Sequence, residues 1–496
     1  MYEATWESVS THPLPGWYED AKLGVFLHWG LYSVPGWAPQ VPDIQELLVT
    51  RGPRAMLHDN PYAEWYRNSM QLEGSPTWHH HRQTYGVDFP YDGFVQPFDD
   101  ESAEADLDAL ARFCRQAGAG YVVLTTKHHD GFTLWPSAVE HPVKGRYHAR
   151  RDLVGDLAAS VRAAGLRMGL YYSGGYDWPF NGAVLARAAD AVLAVPAGSA
   201  YRAYVTGHVR ELIDRYRPSV LWNDIGWPAG GNLAELFAHY YNTVDDGVVN
   251  DRWRESALPR GRLTDGLVRV AGDVVQRLWP VIPDGQKVLT FPTSRHFDVR
   301  TPEYVALDHI ATRKWESTRG VGHSFGANRN ERPEDIVTTT ELVWSFVDIV
   351  SKNGNLLIGV GPRPDGVVPD EQQAPLRGLG RWLEVNGDAI FGSRPWAAAE
   401  TTTSEGTPVR FTRRHEEVYA VLLGLPGTTR FRVRGADAAG VTRARLLGVD
   451  EPLHWRVLDD ELEITLPERL PVSPAYTLSL GAGLRAGRLR APGKGS

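Results

Sequence analysis

Up to residue 395 the chain alternates between two kinds of apolar pattern. Short, nearly unbroken runs, LGVFLHWG, YVVLTTKHH, LRMGLYYSGG, SVLWNDIGW, GVVNDRW and NLLIGVG, have the length and composition of strands buried on both faces. Between them, apolar residues recur at the spacing of one helix face. Leu107, Leu110, Phe113 and Cys114 form one such set, closed by Gly118; Val205, Val209, Leu212, Ile213 and Tyr216 form another, closed by Pro218. Strand and helix in alternation make βαβ units and a parallel sheet. The expected fold class is α/β, a (β/α)8-like (TIM) barrel, with an open doubly wound sheet as the rival. No glycine-rich phosphate loop follows the first strand, which counts against the rival.

After Trp396 the pattern changes. VRFTRR, EVYAVLLGL, TRFRVRG, TRARLLGV, LHWRV, ELEITLP and AYTLSL are short, often alternating, and separated by turn residues, which predicts a C-terminal antiparallel β-sandwich. The expected domains are a catalytic barrel over 1–395, a sandwich over 405–485 and a flexible tail over 486–496, with the join in AAAETTTSEGT. Three long stretches, near 38–60, 179–200 and 254–298, read as insertions into the barrel.

A length of 496 residues suits two domains, since single cores rarely grow beyond about 300 residues. Acidic side chains (60) outnumber basic ones (52) without blocks of like charge, so no face for tracking phosphates is expected and no nucleic-acid partner. No run approaches the roughly 18 apolar residues of a membrane span. The N-terminus also lacks a basic start followed by an apolar stretch, so a cytoplasmic protein with no membrane partner is expected. The single cysteine, Cys114, forbids an internal disulfide and a cysteine-based zinc site, and its apolar position predicts a buried bystander. Seventeen tryptophans and 20 tyrosines favour carbohydrate, because flat aromatic faces pack on the C–H faces of sugars.

In a parallel barrel the chemistry gathers at the C-terminal strand ends. There the sequence places His28 and Trp29; Lys127, His128 and His129; Tyr171 and Tyr172; Trp222, Asn223 and Asp224; and Asn250, Asp251 and Arg252. One reading makes His28, His128, His129 and Asp224 metal ligands. Adjacent residues of an extended chain point to opposite sides, so His128 and His129 are expected to face apart; no HxH or HExxH pair sits at a strand end. WHHH at 78–81 has the same fault and reads as a surface or loop feature. No metal and no cofactor are expected. In the other reading the histidines bond sugar hydroxyls, tryptophans wall the ring, and carboxyl groups do the acid and base work. Asp224 suits an ionised nucleophile: it ends the apolar run VLW, and Arg252 on the next strand is a cation to hold its charge. For the second carboxyl, Glu64, Glu303 and Glu316 remain open.

At these residues the chain resembles the α-L-fucosidase family of retaining glycoside hydrolases, glycoside hydrolase family 29. The motifs run in family order over most of residues 15–395: FLHWGLYSVPGW, NPYAEWYRNSM, TYGVDFPYDGF, YVVLTTKHHDGFTLWPS, GLYYSGGYDW, LWNDIGWP, NDRW, TPEY, KWESTRGVGHSFGANRNE and VSKNGNLLIGVGPRPDG. The resemblance implies that Asp224 is the nucleophile and that Glu303, in HFDVRTPEY, is the acid/base, with Glu316 as runner-up. It implies sugar contacts from His28, Glu64, Trp65, His128, His129, Tyr171, Trp222 and Arg252, with Phe26 and Phe325 holding the C5 methyl of fucose. The expected protein is a retaining exo-α-L-fucosidase whose partner is a fucosylated oligosaccharide or glycoconjugate; a homo-oligomer is compatible with the sequence. The alternatives are a catalytically silent fucose-binding protein and a hydrolase for a related sugar such as an α-L-galactoside.

Overall fold

Seven strands build the larger unit: β1 (Leu23–Leu27), β2 (Tyr121–Lys127), β3 (Arg167–Ser173), β4 (Val220–Asp224), β5 (Val248–Val249), β6 (Trp315–Gly320) and β7 (Gly354–Val360). In this computed structural model, which describes residues 1–255, 261–287, 293–434, 436–438, 440–481 and 485–486, they form one sheet in the order β5-β4-β3-β2-β1-β7-β6. Every pairing in it is parallel. Helices make the crossovers, and their ends follow local rules. Helix Leu107–Gln116 is capped by Asp106, whose carboxylate accepts the Ala109 N–H at 2.8 Å, and the chain turns away at Gly118 with φ of 87°. Helix Ser199–Tyr216 ends on Arg217 in the left-handed region, ahead of Pro218.

Alternation along each strand sorts side chains to two cores. Val25, Leu27, Val122, Leu124, Leu170 and Leu221 pack with the helices. Phe26, Val123, Tyr171, Trp222, Val248 and Leu357 share a separate cluster with Val299. Cys114 is buried and unpaired.

A (β/α)8-like barrel calls for eight strands, and among the described residues this sheet has seven. The remaining position is held by residues 299–303 through isolated parallel bridges, Val299 to Asn250, Arg300 to Trp315 and Glu303 to Thr318. A full ladder cannot form here. Pro302 has no N–H to give, and the Thr301 N–H is taken by the Asp251 carboxylate at 3.1 Å. These bridges join the two edges of the sheet, β5 and β6, so that it curls round on itself.

The C-terminal part carries a five-stranded sheet, in the order 444–446, 476–480, 417–422, 408–414, 394–402, and a three-stranded sheet of 430–433, 461–465 and 454–458. Val409, Phe411, Ala420 and Leu478 of the first meet Phe431, Val433, Leu462 and Ile464 of the second in one core. Arg394–Thr402, which overlaps the stretch expected to join the two domains, is the edge strand of the larger sheet, paired with 408–414 through an irregular register. Ala486, placed by the sequence in the flexible tail, pairs with Ala436; residues 487–496 lie outside the described residues. This part docks on two helices of the larger unit. Trp382 Nε1 donates to the Ala475 carbonyl at 3.0 Å, and Lys352 pairs with Glu400 at 3.2 Å. Among the described residues no helix is long and apolar enough to cross a membrane.

Each predicted insertion contributes a helix: Ile44–His58, Ala188–Leu193 and Arg262–Leu278. Residues 256–260 and 288–292 of the third insertion lie outside the described residues.

Candidate active site

β4 delivers Trp222 and Asp224 to the same side of the sheet, two residues apart. Asp224 is held from three directions. The Tyr171 hydroxyl donates to Oδ2 at 2.9 Å, the Ile225 N–H donates to Oδ1 at 2.9 Å, and Arg252 Nη1 donates to Oδ1 at 3.1 Å. Arg252 is buried over the face of Trp222, 4.7 Å from the ring centre, and its other nitrogens reach the Thr301 hydroxyl and carbonyl at 3.2 and 2.7 Å. The same Nη1 donates to Glu303 Oε1 at 2.6 Å. One guanidinium nitrogen therefore bridges both carboxyl groups.

Burial pushes the Glu303 carboxyl above the usual range; the Arg252 cation opposes this, and the charge on Asp224 adds to it. Both carboxyls are followed by a non-glycine residue in the left-handed region, Ile225 at φ of 63° and Tyr304 at φ of 52°. For a β-branched isoleucine that conformation is strained, and such strain concentrates at functional sites.

The histidines correct one expectation. His128 and His129 do not face apart: their ring centroids lie 3.9 Å from each other, and both line the same cavity. Strand β2 stops at Lys127, so the alternation of an extended chain no longer governs the two residues that follow. His129 Nδ1 is hydrogen-bonded to the Ser173 hydroxyl at 2.7 Å, and its Nε2 lies 4.0 Å from Asp224 Oδ2. Burial pulls His28 down to about 3 and His129 to about 4, and holds His128 well below the ordinary value. All three rings are neutral near pH 7. Nδ1 of His28 and of His128 is buried with no hydrogen-bond partner among the described residues, so each can meet a ligand hydroxyl. Among the described residues no group of three or more His, Cys, Asp or Glu side chains is arranged to hold a metal.

Glu64, in the short helix Ala63–Trp65, accepts the Gly326 N–H at 2.9 Å and the Ser324 hydroxyl at 3.2 Å, and burial pushes it up to about 7. Trp65 stands edge-on to His129 and Trp178. Phe26 and Phe325 meet edge to face, with ring centroids 6.3 Å apart. Phe26, His28, Glu64, Trp65, His128, His129, Tyr171, Trp222, Asp224, Arg252, Glu303 and Phe325 all line one cavity of about 180 Å³, whereas Trp29, Lys127, Tyr172, Asn223, Asn250 and Asp251, named with them at the strand ends, do not.

Glu316 lies elsewhere. It is fully buried behind Trp222, where Oε1 accepts the Trp222 indole N–H at 3.2 Å and Oε2 accepts the hydroxyls of Tyr18, at 2.6 Å, and Tyr121. It does not line the cavity. WHHH belongs to helix Pro76–Thr84 rather than a loop, with His81 buried and bonded to the Phe89 carbonyl at 2.9 Å.

The cavity also holds residues that the sequence did not single out. Tyr62 lines it, and its buried hydroxyl lies close enough to Glu303 to help hold that carboxyl's pKa down. Its place in NPYAEW, two residues before Glu64, was the available signal. Ile44, Met56, Leu57, Ala191 and Ile225 add an apolar wall.

A close pair of carboxyls beside a small cavity walled by aromatic rings and neutral imidazoles fits the needs of a glycoside hydrolase. Comparison with known proteins narrows that class. Residues 1–279 and 285–388 match the family model described as Alpha-L-fucosidase, and 401–481 the one described as Alpha-L-fucosidase C-terminal domain. The tissue alpha-L-fucosidase of Rattus norvegicus is 30% identical, over 97% of this chain and 92% of its own. The solved alpha-fucosidase of Thermotoga maritima in complex with a mechanism-based inhibitor is 40% identical with a TM-score of 0.81, covering 97% of this chain and 100% of that one. Its complex with fucose is 39% identical with a TM-score of 0.79 and the same coverage. The chain belongs to the α-L-fucosidase family, glycoside hydrolase family 29, and is a glycoside hydrolase.

Proposed function

We propose that the protein is a retaining exo-α-L-fucosidase that releases terminal L-fucose from fucosylated glycans by double displacement. One observation carries this reading: Asp224 and Glu303 share Arg252 Nη1, at 3.1 and 2.6 Å. The two bridging oxygens cannot be farther apart than the sum of those contacts, which falls short of the roughly 6.5 Å at which the inverting range begins.

Asp224, fixed by Tyr171, Arg252 and its neighbour's N–H, attacks the anomeric carbon while protonated Glu303 gives its proton to the leaving oxygen. The charge on Asp224 helps keep Glu303 protonated. Once Asp224 carries the sugar as an ester, that charge is gone and only burial opposes Arg252, so the Glu303 pKa falls. The residue that gave the proton is then suited to take one from water. The neutral histidines, Glu64 and Tyr62 bond the sugar hydroxyls. Phe26 and Phe325 offer no polar group at the place assigned to the C5 substituent, which favours the methyl of fucose over the hydroxymethyl of a galactoside. A cavity of about 180 Å³ suits one terminal sugar. We read the larger unit as a (β/α)8-like barrel with 299–303 as its eighth member and the site at its C-terminal strand ends, followed by a β-sandwich.

The test is Asp224→Ala on an aryl α-L-fucoside. Turnover is expected to vanish while added azide restores cleavage and gives the β-fucosyl azide, since azide enters from the face the carboxylate vacated. Near-normal hydrolysis by this variant would end the proposal.

A further inference from the structure

The three insertions, far apart in the sequence, meet at one edge of the cavity. Helix Ile44–His58 brings Ile44, Met56 and Leu57 to the lining, and helix Ala188–Leu193 brings Ala191. Helix Arg262–Leu278 contributes nothing to the lining and braces the other two from outside. Gly272 sits so close to Ala189 that an added Cβ would lie 2.8 Å from the alanine methyl. Arg269 pairs with Asp190 at 3.5 Å, Arg187 with Asp273 at 3.9 Å, and Trp279 Nε1 donates to the Leu48 carbonyl at 2.9 Å. The first helix bends to follow the cavity, at Gly52 (φ 85°) ahead of Pro53. The insertions thus form one braced cap.

The position of its underside follows from packing. Ile44 and Met56 cluster with Tyr62 and Tyr304, the latter next in the chain to Glu303. Met56, Leu57 and Ala191 cluster with Ile225, which follows Asp224. This wall therefore flanks both carboxyls. In the reading above, the leaving oxygen sits at Glu303, so whatever is attached to it must pass along Ile44 and Met56. A hydroxyl-covered group there would exchange water for side chains that cannot hydrogen-bond, whereas an apolar group would gain by leaving water.

We propose that the cap is a leaving-group subsite for an apolar aglycone, alkyl or aryl, formed by Ile44, Met56, Leu57 and Ala191. The proposal rests on the fucosidase reading and adds the chemical class of the group that fucose leaves. It predicts that kcat/KM rises with the apolar length of the aglycone at constant leaving-group chemistry.

Hexyl and methyl α-L-fucoside make the comparison, because both release a simple alkanol. The hexyl compound is expected to exceed the methyl one in kcat/KM by on the order of tenfold or more. In Met56→Ser and, separately, Ala191→Asp, that ratio is expected to fall toward one; because each variant is read against its own rate on the methyl compound, a damaged fold shows as a fall in both rates and does not mimic the effect. A wild-type ratio of one or less, or a ratio unchanged in both variants, overturns the subsite and leaves the fucosidase reading standing. Absence of fucose release from either compound and from an aryl fucoside overturns the fucosidase reading and the subsite with it.

Discussion

The floor of the cavity and its rim are built by different means. The floor consists of strand ends, and its side chains are held by directional bonds to other elements: Asp224 by Tyr171 and Arg252, Arg252 by Thr301, His129 by Ser173, Trp222 by Glu316. The rim consists of helices Ile44–His58 and Ala188–Leu193, which meet the cavity with apolar side chains held by packing. Directional contacts suit groups that must meet reacting atoms, since small misplacements cost rate heavily. Packing suits a surface that excludes water. The chemistry should therefore be rigid to substitution and the leaving-group preference adjustable.

The hardest way to break this contrast is at Arg252. Arg252→Met leaves two buried carboxyls facing each other without their cation, and the expected loss is about 3–5 kcal/mol of stability, read from denaturant unfolding. In whatever fraction remains folded, Glu303 holds its proton to still higher pH. Glu303→Gln comes next. In the proposed mechanism Glu303 must be protonated, so activity is expected to fall as pH rises through a Glu303 pKa that burial holds above the usual carboxylate range. In the amide variant that basic limb should disappear, with kcat/KM on a poor leaving group lower by about 10²–10⁴-fold. Glu316→Gln sharpens the comparison, since the amide presents one acceptor oxygen where three donors converge. The expected cost is about 1–3 kcal/mol in stability, with the basic limb left in place; loss of that limb here would move the acid role to Glu316. The smallest effect is expected for Ile225→Gly, at the seam between floor and rim. Relief of about 1–3 kcal/mol of backbone strain offsets the lost side-chain burial, so the unfolding midpoint should move little while kcat falls less than in Glu303→Gln.

The same contrast explains what could be read in the sequence. The floor was legible because its residues follow unbroken apolar runs: VLW leads into Asn223 and Asp224, and YVVLTT into Lys127, His128 and His129. β6 was not, because Glu316, Ser317 and Thr318 are polar residues buried by partners distant in the chain, such as the hydroxyls of Tyr18 and Tyr121. The segment at 299–303 carries Pro302 and makes isolated bridges, so it has no strand pattern to find. In SKNGNLL the glycine, Gly354, is the residue expected to end the preceding helix in the left-handed conformation, but Asn353, at φ of 71°, takes that position instead. The cap was visible only as three stretches. Their meeting depends on pairs such as Trp279 with Leu48 and Gly272 with Ala189, and no local pattern encodes a contact across that much chain.

The central claim is that Asp224 and Glu303 work as a close pair, one forming a bond to the sugar and the other moving the proton. Proton NMR of the first sugar released from an aryl α-L-fucoside, recorded before mutarotation, tests it most directly. Two successive inversions predict that α-L-fucose appears first and the β anomer only later; β-L-fucose as the first product would mean that water attacks without a covalent intermediate, and would contradict the account.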